Sequence, residues 1–210
     1  MANRSYLFVS DHDGICPAWV EGVEEPEQLV LAEDVYCVPL LWLALFRPAD
    51  LRTTTFPADE DDDVAEFPVT APLATKERAL AQLDAALPTL NRLFAAEGPL
   101  DEHAALLRDG IVGMPGGFVT VDLYEIAVLR DEDAYHRTLR AALASFEEPG
   151  DAAADRERLV DLAQLRPGRP FPPARLLLDE RDAADDDWWN FVRLLGAGFV
   201  RPVPWEKAAG

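Results

Sequence analysis

Leu80, Leu83, Leu87, Leu90 and Phe94 recur at alternating steps of three and four, a spacing that fixes the element they belong to. Such steps return side chains to one side of a 3.6-residue helix, so the five form an apolar stripe that must be buried. Pro88 lies inside the stripe and cannot donate to the carbonyl of Asp84. The phase carries through it, which predicts one kinked helix or two nearly collinear ones, ended by Gly98 and Pro99.

The same period returns further on. Tyr135, Leu139, Ala142, Leu143 and Phe146 make a second buried face, behind Asp131, Glu132 and Asp133, whose charge suits a helix N-terminus. Leu159, Leu162 and Leu165 make a third. "LDEHAALLRDG" predicts a short helix closed by Gly110, and Asp122 with Glu125 has capping-box spacing before "YEIAVL". In "VYCVPLLWLALF", Val35 to Phe46, Pro39 fits the first turn of a buried helix.

Extended segments are fewer. "SYLFV" puts Tyr6 and Phe8 on one face and Leu7 and Val9 on the other, the pattern of a strand buried on both sides. "GGFVTV" and "ARLLL" are the other strand-like runs, and the glycines of "GIVGMPGGF" mark a loop. Arg52 to Pro72, mixing threonines, prolines and acids, reads as an irregular excursion. After Gly196 and Gly198, "FVRPVPW" is extended, and Pro202 and Pro204 keep it at an edge or outside a ladder, in position to pair with the N-terminal strand. No internal repeat is apparent. The fold class predicted is α+β: a mainly helical single domain over residues 1–210, with a small sheet that includes the N-terminal strand.

Charge narrows the partners. The chain carries 39 acidic against 19 basic residues, a formal net charge of −20, which repels nucleic acid and anionic membranes. Its longest apolar run is too short to span a bilayer, and its first residues lack a signal peptide's apolar core, so a cytoplasmic protein is expected. At 49% apolar residues it buries a core without staples. Cys16 and Cys37 read as buried free thiols, and His103 and His136 as surface or core-edge histidines without ligand spacing, so neither metal nor cofactor is expected. Salt adaptation would spread the acids evenly over the surface. Here they bunch, in "DEDDDVAE" (Asp59 to Glu66) and "DERDAADDD" (Asp179 to Asp187).

Bunched acids form either a solvated loop or one half of a docking surface for a basic partner. In "DDDWWNFVRLLG", Asp185, Asp186 and Asp187 suit a helix N-terminus, and Trp188, Phe191, Val192 and Leu195 share the buried face. Trp189 is turned about 100° away, beside the acids. It either caps the core from outside or stands as an aromatic anchor, which makes Asp185, Asp186, Asp187 and Trp189 the candidate partner-binding residues.

Two resemblances add to this. "YLFVSDHDG" is similar to the first motif of the haloacid dehalogenase superfamily of phosphohydrolases, where a strand delivers DxDG. The resemblance implies at least five parallel strands alternating with helices. It also implies Asp11 as nucleophile, Asp13 as general acid, and magnesium held by Asp11 and a later acid. Thr53 to Thr55 would supply the hydroxyl, Lys76 the phosphate-binding lysine, and Asp179 and Asp182 the metal acids. The plain reading of the same residues is an Asp-Gly turn, with Asp13 and Gly14 at the corner. The opening "MANRSYLF" also resembles the "MANRSYLY" shared by a group of bacterial proteins of similar size. That likeness implies a shared fold and no chemistry.

The function these features predict is non-enzymatic protein binding, as an immunity protein or antitoxin that masks a basic partner such as a cognate toxin. Two other classes stay open: a magnesium-dependent phosphohydrolase using Asp11, Asp13 and Lys76, and a structural or housekeeping domain.

Overall fold

The chain is described by a computed structural model over residues 3–15, 28–57, 66–96, 98–166, 168–169, 171, 173–174, 190 and 192–198. The N-terminal strand β1 (Arg4–Ser10) lies inside a five-stranded sheet with β2 (Gln28–Val35) on one side and β5 (Phe118–Asp122) on the other. Beyond β5 come β4 (Glu66–Thr75) and β3 (Leu51–Pro57), giving the order β2-β1-β5-β4-β3 with every pairing antiparallel. Leu7, Phe8 and Val9 are buried, as the sequence pattern of "SYLFV" predicts, and Ser5 with them, whereas Tyr6, expected to be buried beside Phe8, is only partly so. A bulge between Leu7 and Phe8 shifts the β1–β2 register by one residue.

This sheet corrects the expectation of a mainly helical domain with a small sheet. The segment from Arg52 to Pro72, read from sequence as irregular, is most of a hairpin: β3 pairs with β4 from Leu51↔Pro72 to Pro57↔Glu66. The prolines misled because a strand proline is harmful only where its nitrogen should donate to a neighbour. Lys76, two residues beyond Ala74 on the same side of the chain, donates its backbone N–H to Gly117 at the start of β5. Even-numbered residues of β4 therefore direct their nitrogens away from β3, so Pro68 and Pro72 cost the β3–β4 ladder nothing. The antiparallel order also differs from the parallel sheet that the haloacid dehalogenase resemblance implies.

Among the described residues the α-helices with both ends defined are α1 (Leu40–Leu43), α2 (Lys76–Phe94), α3 (Pro99–Gly113), α4 (Tyr124–Val128), α5 (Glu132–Glu147) and α6 (Ala152–Ala163), with a 3-10 turn at Pro48–Asp50. Leu7, Ala32, Ala74, Val119 and Val121 of the sheet join Leu83, Leu90, Leu107, Leu139, Leu143, Leu159 and Leu162 of the helices in one contiguous core. A smaller cluster of Ile15, Phe56, Val69 and Ala71 sits under the β3–β4 hairpin, with Phe67 stacked on Phe56 and tilted against Tyr124. Among the described residues no helix is long and apolar enough to cross a membrane.

Several boundaries moved for local reasons. α2 is a single helix with Pro88 inside it, and Leu83 and Leu90 of the stripe are fully buried. Gly110 does not end α3, which runs on to Gly113. The expected helix in Val35 to Phe46 shrinks to α1 with Pro39 just before it, although every residue from Cys37 to Phe46 is buried. Asp122 and Glu125 do not form a capping box: Asp122 accepts from the Tyr124 N–H at 3.0 Å, and Glu125 reaches back to the Arg4 N–H at 2.7 Å. His103 is fully buried rather than at the core edge.

The α5 start matches the sequence reading, with Asp131 accepting from the Ala134 N–H at 2.8 Å. Asp131→Ala is expected to lower stability by about 1 kcal/mol, the usual cost of losing a side-chain cap. Denaturant unfolding of the variant checks this, and an unchanged midpoint would refute it.

Candidate functional site

Three chain segments end at one side of the sheet, because Ser10 and Thr75 both pair with Phe118. There β1 runs into Asp11, His12, Asp13 and Gly14, β5 is entered through Gly116 and Gly117, and α2 begins at Lys76. The two loops touch closely. Gly116 has φ +113°, and a Cβ there would lie 2.7 Å from the Ser10 carbonyl, so only glycine lets the strands converge. Asp11 stands beside this junction, with its Oδ1 3.9 Å from where a Gly117 Cβ would be.

Of the residues singled out for phosphoryl chemistry, Asp11, Asp13 and Lys76 thus share one sheet end, but two of these three are engaged elsewhere. Lys76 donates through Nζ to the Met114 carbonyl at 2.6 Å. Asp13 accepts from Arg52 Nη1 at 2.8 Å, an exposed ion pair worth at most about 1 kcal/mol. Thr53 meets Thr70 hydroxyl to hydroxyl at 2.8 Å on the exposed hairpin. Among the described residues, no group of three or more His, Cys, Asp or Glu is placed to hold a metal ion. Asp179, Asp182, Asp185, Asp186, Asp187 and Trp189 lie outside the described residues.

A second polar constellation, missed from sequence, is built inside the protein where β2 ends. Asp34 is 3% exposed and Arg193, on the helical residues 192–195, is 5% exposed. Arg193 Nη1 donates to Asp34 Oδ1 at 2.7 Å, to the Val35 carbonyl at 2.6 Å and to Cys37 Sγ at 2.8 Å. The Cys37 thiol donates to Asp34 Oδ2 at 3.3 Å, and Ser5 Oγ donates to the Cys37 carbonyl at 2.6 Å. One further contact seats the same segment: Trp42 Nε1–H donates to the Leu195 carbonyl at 2.8 Å. Gly196, at φ +76°, lies so close that a Cβ would come within 2.5 Å of the Trp42 ring. Ala197 then forms a two-way backbone bridge with Glu33 of β2.

The electrostatics of this cluster are those of a structural pin. Burial pushes the Asp34 carboxyl up to about 6, because the Arg193 guanidinium and the hydrogen bonds offset only part of the desolvation. Burial also pushes the Cys37 thiol well up, reinforced by the neighbouring Asp34 charge. A thiol held protonated is a poor nucleophile and a poor ligand, so Cys37 is unsuited to catalysis. Its burial agrees with the sequence reading.

No relative steers the choice between these two places. No protein-family model, curated protein or solved structure matches the chain. Function has to be argued from its own residues.

The buried cluster did leave a signal. Along β2, Ala32 and Asp34 are buried while Leu31, Glu33 and Val35 are only partly so. An acid in phase with a buried strand face requires a cation from elsewhere in the chain.

Proposed function

We propose that this chain is a binding protein whose acidic surface docks on a basic protein, acting as an immunity protein or antitoxin by covering that partner's cationic surface. The observation that favours binding over phosphoryl transfer is the commitment of the strand-end groups: Arg52 holds Asp13 and the Met114 carbonyl holds Lys76. The net charge of −20 makes attraction to a cationic surface the dominant long-range property of the molecule. Asp185, Asp186 and Asp187 would set the rate of encounter, and Trp189 the lifetime of the complex.

The test is co-expression and titration with a basic protein, taken first from any toxin gene found beside this one; absence of a neighbour that binds would also overturn the immunity reading. Cells should survive that protein only with this chain intact, and association should be fast at low salt and slow as salt rises. Neutralising Asp185, Asp186 and Asp187 together should slow association several-fold, and Trp189→Ala should weaken the complex by about 2 kcal/mol or more. No association at low salt, or an on-rate indifferent to salt, would overturn the proposal.

A further inference from the structure

β3 is an outer strand, and its pairing partner among the described residues is β4 alone. Its side chains from Arg52 to Thr55 are all exposed. The direction of its backbone groups follows from contacts already described. Even-numbered β4 residues point toward β5, as the Lys76 N–H on Gly117 and the Thr120 hydroxyl on the Pro72 carbonyl both show. Their partners on β3, which are Leu51, Thr53, Thr55 and Pro57, therefore form the non-hydrogen-bonded pairs of the ladder and turn their own N–H and C=O groups outward. The close approach of the Thr53 and Thr70 hydroxyls fits this assignment, since side chains are nearer in such pairs.

The outward donors are few and symmetrically placed. Leu51 spends its N–H on the Pro48 carbonyl, and Pro57 has none, which leaves Thr53 and Thr55 on either side of Thr54. Two copies laid antiparallel about Thr54 would exchange both bonds of each pair, Thr53 with the second copy's Thr55 and Thr55 with its Thr53. The strand itself brings no acid to the seam, although the acidic run from Asp59 begins two residues beyond Pro57 and makes the approach salt-dependent. In a chain of net charge −20, β3 carries one arginine and no acid, whereas β2 at the opposite edge carries Glu33 and Asp34 and is already bridged to Ala197.

We propose that the β3 edge is a self-association surface, on which a second copy of this chain adds its own β3 antiparallel and joins the two five-stranded sheets into one. This does not depend on the acidic surface or on any basic partner. It also carries an opposite salt signature. Two copies of like charge associate more strongly as salt screens them, whereas a complex with a basic protein weakens.

Light scattering or sedimentation of the full chain tests it, from about 5 to about 300 µM, a range that brackets micromolar dissociation constants. A dimer that grows with concentration, several-fold more populated at high salt than at low, is expected. Thr55→Pro and Thr53→Pro each remove an outward N–H and leave the β3–β4 ladder intact, so either should remain folded by circular dichroism and become monomeric. Thr54→Cys should form an inter-chain disulfide under mild oxidation that the unsubstituted chain does not, because facing residues at the dyad bring their Cα atoms to about 4.5 Å. A chain that stays monomeric throughout this range overturns the proposal. So does a folded proline variant that still dimerises, which would place the contact elsewhere, or a Thr54→Cys chain that fails to cross-link while dimeric.

Discussion

Arg193→Ala is expected to destabilise the protein by about 3–5 kcal/mol, because it leaves the Asp34 carboxylate buried without a counter-charge. Asp34→Ala should cost a similar amount by stranding the guanidinium. Replacing both together, as Asp34→Leu with Arg193→Met, should recover most of the loss, since the pair's desolvation nearly cancels its attraction. The half-buried Arg4–Glu33 pair is the natural control: at 2.6 Å its geometry is as good, yet water still reaches both groups and Arg4→Ala should cost only about 1 kcal/mol. Urea unfolding of the four variants checks the set. A loss below about 1 kcal/mol for Arg193→Ala would mean that water reaches the cluster.

The same group gives a pH signature with a definite sign. Asp34 is raised in the folded protein to about 6 from the ordinary 3.8, so its contribution to stability is fully present below pH 3.8 and is lost as pH rises through about 6. Between those values the folded state holds a proton that the unfolded chain has released. The stability of the protein relative to Asp34→Asn should therefore fall, by on the order of 3 kcal/mol, between about pH 4 and pH 7, and stay level above. A difference curve that is flat across this window would refute the assignment.

Trp42→Ala carries the second large effect, also about 3–5 kcal/mol. Trp42 is fully buried, and its indole N–H is bonded to the Leu195 carbonyl. Alanine leaves a cavity and an unpaired carbonyl, while Trp42→Phe keeps most of the volume and should lose about 1–3 kcal/mol for the carbonyl alone. Both Trp42 and Arg193 hold residues 192–198 on β2. The double variant Trp42→Ala with Arg193→Ala should thus lose less than the sum of the singles, since the segment can detach only once. Strict additivity in thermal or denaturant unfolding would show that the two contacts act independently.

What the sequence disclosed divides along physical lines. Elements whose burial is set by local period were legible: the faces of α2 and α5, the Asp131 cap and the inward sides of β1 all follow from spacing within one segment. The β3–β4 hairpin was not, because its prolines are tolerated only by virtue of which neighbour each nitrogen faces, a property of the assembled sheet. At the strand end, sequence brought Asp11, Asp13 and Lys76 under one chemical idea. The fold does bring them to one end of the sheet, but Arg52 and the Met114 carbonyl, 39 and 38 residues away, decide what two of them do. The Asp34–Arg193 contact spans 159 residues and had no local pattern except an acid in a buried phase.

That separation has a consequence for how the protein is made. Asp34 and Cys37 leave the ribosome long before Arg193, and at about 5–20 residues per second the separation of 159 residues between Asp34 and Arg193 takes about 8–30 s to synthesise. Throughout that interval the nascent chain carries an uncompensated carboxylate and an open thiol at the centre of its future interior. Cys37 is thus open to solvent-borne reagents during translation, whereas in the finished protein, with Arg193 and Trp42 closed over the end of β2, it is fully buried.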